Sequence, residues 1–333
     1  MASGPSLVPA DGLLHERILD QTFPLWNDGL TRPRYGQYNE AQMRTRWGSR
    51  HLARLALVDG DRLLASAKRY DLIARLDGRT VRVVGIGAVF TPPELRGRGH
   101  GHAVVNAILD RARDDGAGLA LLFSEIGPAY YERLGFSRVP LCSSELYVRR
   151  GAGTPAIALR TGGESDLPLV ADIHAGRSGG FRFALQYDVD WLQYSMAKRR
   201  LFSGLGAPGL RHVEFFVAEE GGRPVAWVML HVERAAGGAG AGGERWTVES
   251  CGDRDPSGAR VGAMLQGVLA RAPAAPPSQI VAWWPPPLRP PQIDLRPLIG
   301  APITMMMRDL SGGGALTPPL GAADVLYWHA DAF

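Results

Sequence analysis

The stretch that most narrows what this chain can become is Arg96-Gly97-Arg98-Gly99-His100-Gly101, because of what lies on either side of it. Upstream, residues 81–90 are β-branched and apolar, which reads as a buried strand. Pro92 and Pro93 stop it, since proline has no N–H to give a ladder. Downstream, Ala103, Val104, Ala107, Ile108 and Ala112 recur with a helical period. Three glycines and two arginines therefore sit where a strand turns into a helix. Such a turn exposes the first-turn N–H groups and lets a ligand come close to the backbone. The helix dipole adds to the arginine charge, so the guest it predicts is a phosphate or pyrophosphate.

Rival readings of the run fit less well. Glycine-arginine tails that bind nucleic acid are repetitive and unflanked, whereas this run occurs once between ordered elements. A dinucleotide fingerprint has its glycines directly after the first strand, with no prolines intervening, and a Walker loop requires Gly-Lys-Ser/Thr.

The 333 residues suffice for two domains, and 45% hydrophobic with 21% charged residues is ordinary for a globular chain. A net charge of +4 is too small to demand nucleic acid, although a local basic patch suits a polyanionic ligand. Glycine and proline are frequent, at 42 and 25, and more of both fall in the second half. Cys142 and Cys251 are the two cysteines, which gives no disulfide framework and fits a reducing compartment. No apolar run reaches membrane-spanning length and no Cys/His cluster suggests a metal. The expectation is a cytoplasmic chain with no membrane, nucleic-acid or metal partner, monomeric or homodimeric.

In chain order, residues 13–23 read as a helix interrupted by Pro24, and Asn39 as the cap of a second one running to Trp47. The interval 26–47 is rich in Trp, Tyr and Arg, which is surface stacking for most of its residues and acceptor contact for some. Strands follow at 55–58 and 62–75 around Asp59-Gly60-Asp61, with a second turn at Asp77-Gly78. After the loop and its helix come a strand at 119–123, a short helix at 128–134 and tail strands over 137–147. Residues 150–155 read as a linker. The pattern then restarts: strand 157–159, a helix capped near Ser165-Asp166, a helix at 189–202, a hairpin at 213–232, a flexible Ala/Gly loop at 235–243, strand 245–251, helix 257–270 and strand 279–284. Trp283-Trp284 and Met305-Met306-Met307 are expected in strands packing the second domain. The turn Asp253-Arg254-Asp255-Pro256-Ser257-Gly258, matching the first domain's glycine run, carries two acids that would repel a pyrophosphate.

Val89-Phe90-Thr91-Pro92-Pro93-Glu94-Leu95 followed by the glycine run resembles the R/Q-x-x-G-x-G/A acetyl-CoA loop of the GNAT N-acetyltransferase superfamily. Tyr130-Tyr131-Glu132-Arg133-Leu134-Gly135-Phe136 resembles its aromatic-Tyr-x-x-x-Gly-Phe element, in the right order and at the right distance. Within the superfamily, "VFTPPELRGRG" and "LFSEIGPAYYERLGF" are similar to the fungal-type lysine N-acetyltransferases, with Ser124-Glu125-Ile126-Gly127 where that family has Ser-Asp-Ile-Gly. The same region is similar to the mycobacterial enhanced-intracellular-survival aminoglycoside acetyltransferases. The resemblance implies an α/β (α+β) fold of two GNAT-like domains, each a mixed, mostly antiparallel sheet flanked by helices. Residues 1–150 would bind acetyl-CoA, and 151–333 would be a degenerate copy shaping the acceptor pocket.

It further implies that acetyl-CoA meets Val89, Phe90, Thr91, Arg96, Gly97, Arg98, Gly99, His100 and Gly101, with backbone near Val89 pairing with the pantetheine arm. Tyr131 matches the superfamily's general acid; a phenol near its reference pKa of about 10 reprotonates a thiolate while staying neutral itself. The alternative for Tyr131 is packing beneath the cofactor. Residues 81–90 contain no acid where many of these enzymes carry a glutamate base. Glu94 sits in a proline turn, as a solvated or structural residue, while Glu125, at the end of a cleft strand, is a candidate to bind the acceptor ammonium or relay its proton. The carboxylate of Phe333 is a third candidate, since the aminoglycoside family uses its chain terminus as the base. The expected function is acetyl transfer to a small-molecule primary amine, first the side-chain amine of free lysine, second an aminoglycoside or polyamine. An acyl-CoA sensor without turnover is the alternative of another class.

Overall fold

The structure is a computed structural model that describes residues 4–149, 157–234, 243–271, 277–298, 300 and 303–333. The linker at 150–155 and most of the Ala/Gly loop at 235–243 lie outside the described residues. The chain divides into two compact units: Met1–Pro140 with Pro302–Leu320 and Phe333, and Leu141–Ala301 with Gly321–Ala332.

The first unit runs β1 (Ser6–Pro9), α1 (Gly12–Trp26), α2 (Arg32–Arg44), α3 (Gly48–His51), β2 (Leu52–Asp59), β3 (Arg62–Leu76), β4 (Arg79–Phe90), α4 (His100–Asp114), β5 (Leu119–Ser124), α5 (Ala129–Glu132) and β6 (Ser137–Arg138). Two helix ends differ from the sequence expectation. α1 continues through Pro24, which falls in its last turn, so the helix ends within two residues of the missing N–H. α2 starts at Arg32, with Thr31 at its N-cap and a proline in its first turn, so Asn39 lies mid-helix and is buried. Arg32 holds Glu16 at 2.8 Å and Asp20 at 2.7 Å, a structural use for one of the interval's arginines.

The second unit runs β7 (Ser143–Val148), β8 (Ala158–Thr161), α6 (Leu167–Ser178), β9 (Phe183–Leu185), α7 (Val189–Leu205), β10 (Arg211–Glu220), β11 (Arg223–Arg234), β12 (Glu244–Asp253), α8 (Ala259–Arg271), β13 (Gln279–Trp283) and β14 (Ile293–Pro297). β15 (Thr304–Asp309) returns to the first sheet and β16 (Val325–Leu326) pairs with β9 in the second unit. The strand orders are β1-β2-β3-β4-β5-β15-β6 and β14-β7-β13-β12-β11-β10-β8. Each is a mixed, mostly antiparallel sheet flanked by helices. Its parallel pair, β4 with β5 in one and β12 with β13 in the other, is bridged by the crossover helix that parallel strands require.

Two strands are exchanged relative to the sequence reading. Residues 143–148, expected to complete the first domain, pair with β13 and β14 in the second sheet. Met305, Met306 and Met307, expected in the second domain, lie in β15 and pair with β5, where Met306 is fully buried in the core under α4. Apolar alternation fixes which face of a strand is buried and is silent about its lateral neighbour. Trp283 and Trp284 do belong to the second unit's core, as expected. No helix among the described residues is long and apolar enough to cross a membrane.

The second unit hides an unusual number of titratable groups. His174 stacks on Tyr187 with ring centroids 3.5 Å apart, its Nε2 donates to the Leu185 carbonyl at 2.8 Å, and burial pulls its pKa down to about 4. His329, stacked on Trp283 at 4.1 Å, is also drawn to about 4 by burial. Burial pushes Asp331 the other way, up to about 6, against the bond that Tyr187 donates to it at 2.6 Å. Below pH 6.5 the unfolded chain takes up histidine protons that the folded chain refuses until about pH 4, so stability falls across that window. Asp331, which binds its proton more tightly when folded, opposes this over the lower part of the window, one group against two. The expected result is a melting temperature that drops as pH is lowered from 6.5 towards 4. His174→Gln should flatten that slope in calorimetric melts, and an unchanged slope would exclude His174 as a source.

Candidate active site

Everything the sequence singled out for chemistry falls in the first unit. β4 and β5 pair in parallel from Val83 with Leu119 to Ile86 with Leu122, and among the described residues the ladder stops there. β4 nevertheless continues to Phe90 and β5 to Ser124, so the strands splay. On its other edge β4 pairs Gly87 with Lys68 and Phe90 with Ser66, leaving an extra residue in a bulge. Ala88, in that bulge, has φ +49°, a left-handed conformation that costs an alanine on the order of 1 kcal/mol. The bulge takes residues 88 and 89 out of the regular ladder with β3.

Thr91, Arg96, Gly97, Arg98 and Gly99 follow in the connection to α4, and His100 and Gly101 open the helix. Arg96, Gly97, Arg98 and Gly99 are exposed, and Arg96 Nε donates to the Thr91 carbonyl at 3.3 Å. Gly97 and Gly99 have φ of +75° and +82°, which Gly99 needs as the N-cap of α4. Gly101 is a glycine for a different reason: a Cβ there would lie 2.5 Å from the Tyr130 hydroxyl and 3.3 Å from Thr91 Oγ1. Tyr130 also packs against His102, ring centroids 4.5 Å apart. The two motifs, some thirty residues apart in sequence, are thus in contact through Gly101, His102 and Tyr130. Val89 is half-buried against the core, and the Phe90 ring is buried against Trp26 at 6.3 Å, so Phe90 offers the opening its backbone alone.

The Ser124 hydroxyl donates to the Gly127 carbonyl at 2.6 Å and closes the turn from β5 into α5. This leaves Glu125 exposed at the turn and Tyr131 buried, 7% exposed, between Tyr130 at 4.9 Å and Phe136 at 6.1 Å. Burial, then Tyr130 and Glu125, push the Tyr131 phenol well above its ordinary pKa, so it holds its proton throughout the neutral range. Glu94 is exposed in the proline turn. No group of three or more His, Cys, Asp or Glu side chains able to hold a metal occurs among the described residues.

Phe333 lies against this same sheet. Its ring packs between Tyr70 at 4.5 Å and Phe123 at 5.6 Å, over Gly85 and Gly87 of β4. A Cβ on Gly85 would meet the ring at 2.6 Å, and one on Gly87 would lie 3.5 Å from the Phe333 main-chain oxygen. Gly85 and Gly87 went unmarked in the sequence reading, although two glycines inside a β-branched strand signal close approach of another group. Tyr70 and Phe123 carry no such signal, since an aromatic in a strand is ordinary.

In the second unit the position corresponding to the glycine loop is already filled. Asp253, fully buried, accepts from the backbone N–H of Arg260 at 2.9 Å and of Asp255 at 2.8 Å, and pairs with the Arg260 guanidinium at 3.1 Å. A carboxylate therefore occupies the start of α8, where the first unit presents glycines and arginines.

Comparison with known proteins agrees with this geometry. The family model described as acetyltransferase (GNAT) domain matches residues 13–139. A GCN5-related N-acetyltransferase from Anabaena variabilis is similar in structure, with TM-score 0.67, 11% identity, and coverage of 92% of this chain and 73% of that one. One from Kribbella flavida has TM-score 0.66, 18% identity, and coverage of 93% and 72%. The Saccharomyces cerevisiae N-myristoyltransferase, solved with bound myristoyl-CoA, has TM-score 0.56, 11% identity, and coverage of 93% and 80%. No curated protein matches the sequence. Residues 13–139 thus match the acetyltransferase (GNAT) domain, and the chain shares the fold of these solved structures.

Proposed function

We propose that the chain transfers an acetyl group from acetyl-CoA to the primary amine of a small molecule, first the side-chain amine of free lysine. The observation that carries this reading is the glycine-arginine start of α4 beside the splayed ends of β4 and β5, with Tyr131 buried next to it. The pyrophosphate takes the loop 96–101, and the pantetheine arm takes the backbone edge at Val89. The amine attacks the thioester carbon, the C–N bond forms and the C–S bond breaks. Tyr131 gives its proton to the departing thiolate, which its raised pKa allows at neutral pH. The amine's proton goes to a carboxylate, for which the terminal group of Phe333, beside Gly87, is the first choice and exposed Glu125 an ammonium contact or relay. The second unit, with Asp253 at its helix start, is a degenerate relative that takes no acyl-CoA.

The test is acetyl-CoA-dependent thiol release across lysine, ornithine, polyamines, aminoglycosides and a lysine peptide, beside calorimetric acetyl-CoA binding. Turnover on lysine supports the reading; turnover confined to aminoglycosides or polyamines replaces the acceptor, and binding with no turnover on any amine makes the chain a sensor. Adding one alanine after Phe333 moves the carboxylate away, and kcat is expected to fall by about 10²-fold or more with acetyl-CoA affinity kept. Unchanged kcat in that variant would remove the terminal carboxylate from the mechanism.

A further inference from the structure

Arg54 is an expensive residue with no visible structural return. It sits on β2, 2% exposed, and its one side-chain hydrogen bond among the described residues runs from Nη2 to Asn39 Oδ1 at 3.0 Å. Its Nε and Nη1 are shielded from solvent without an acceptor. The titratable groups that act on it are the phenols of Tyr35 and Tyr70, with no carboxylate among them. An interior cation lacking a counter-charge costs several kcal/mol, and a methionine of similar volume would fold at least as well. His15 of α1, 8% exposed, lies in the same field, and both its ring nitrogens are likewise buried without partners.

The position of Arg54 gives the cost a purpose. In the sheet, Arg54 pairs with Lys68 and Lys68 pairs with Gly87, so the three form one row across β2, β3 and β4. Neighbouring odd-even positions settle the face: Leu55, Ala67 and Ile86 point into the core beneath α4, so Arg54 and Lys68 point to the opposite side. That is the side where α1 supplies His15, α2 supplies Asn39, and Phe333 covers Gly87. Two strand spacings, roughly 10 Å, separate Arg54 from the β4 bulge. A short aliphatic amine bearing an acid at its far end spans that row.

We propose that Arg54 recognises a carboxylate on the acceptor, so that the amine acetylated at the β4 opening belongs to an amino acid or similar carboxylate-bearing molecule rather than to a polycation. The carboxylate bonds the Nε and Nη1 donors, and Asn39 fixes the guanidinium through Nη2. The proposal rests on the acetyltransferase reading and narrows its substrate class.

The experiment compares lysine with cadaverine, which keeps the reacting amine and chain and lacks the carboxylate, as acceptors for the full chain and for Arg54→Met. The wild-type protein is expected to favour lysine in kcat/KM by about 100-fold, the size of a charge-assisted hydrogen-bonding group. Arg54→Met is expected to bring the two amines within a few-fold of each other, through the KM of lysine, with acetyl-CoA affinity unchanged. Arg54→Lys should restore part of the preference, which a purely structural arginine would not. Equal use of lysine and cadaverine by the wild-type protein overturns the proposal even if the variants fail to fold, and so does an unaltered ratio in a folded Arg54→Met. Acetyl-CoA binding without turnover of either amine overturns the acetyltransferase reading and this proposal with it.

Discussion

Replacing Tyr131 with phenylalanine is expected to lower kcat by about 10²- to 10⁴-fold while leaving acetyl-CoA affinity within a few-fold of the parent. The phenyl ring keeps the packing against Tyr130 and Phe136, so the variant removes an O–H and little else. Burial raises the Tyr131 pKa, so the group is a proton donor in the resting state and a poor base. The loss should therefore fall on departure of the thiolate. Pre-steady-state thiol release would locate it there, and a loss confined to KM would assign Tyr131 to packing beneath the cofactor.

The largest expected effect on stability is at Glu249. Its carboxylate, with a side chain 6% exposed, pairs with Arg199, whose side chain is 13% exposed. Arg199 also donates to the carbonyls of His329 and Ala330, and its neighbour Lys198 to that of Ala332, so two cations of α7 hold the segment before Phe333. Burial, and then Arg199, draw the Lys198 ammonium down to about 7, so Glu249 offsets charge that is already crowded. Glu249→Leu strands the guanidinium, and a destabilisation of about 3–5 kcal/mol is expected in denaturant unfolding. Arg199→Leu combined with Glu249→Leu should cost less than Glu249→Leu alone, because no buried charge is left unpaired. A double variant less stable than the single would show that Arg199 holds the tail mainly through its carbonyl bonds.

How far the sequence announced this molecule depended on whether a feature is local. The glycine-arginine turn, the proline stop after β4 and the Tyr130-Tyr131 element are local, and the structure brings those motifs into contact through Gly101. Strand neighbours are set by distant parts of the chain. Nothing in the alternation of residues 143–148 or 304–309 says which sheet will take them, and both went to the sheet opposite the one expected. Arg54 and Gly87 share a similar difficulty. A charge in the run Leu52-Ala53-Arg54-Leu55-Ala56 is visible as an oddity, yet its alignment with Gly87 emerges once β2, β3 and β4 are in register.

The exchange of β15 has a consequence for the order in which the protein is made. The glycine-arginine loop and its helix are complete by residue 114, but the sheet beneath them has β15, residues 304–309, between β5 and β6. At ordinary translation rates, the interval between synthesis of β6 and of β15 is roughly 10–30 s. Throughout that time the edge of β5, with its apolar Leu121 and Leu122, waits on the ribosome for a partner not yet polymerised. Nascent chains stalled before residue 304 should therefore be chaperone clients, and the first half expressed by itself should aggregate.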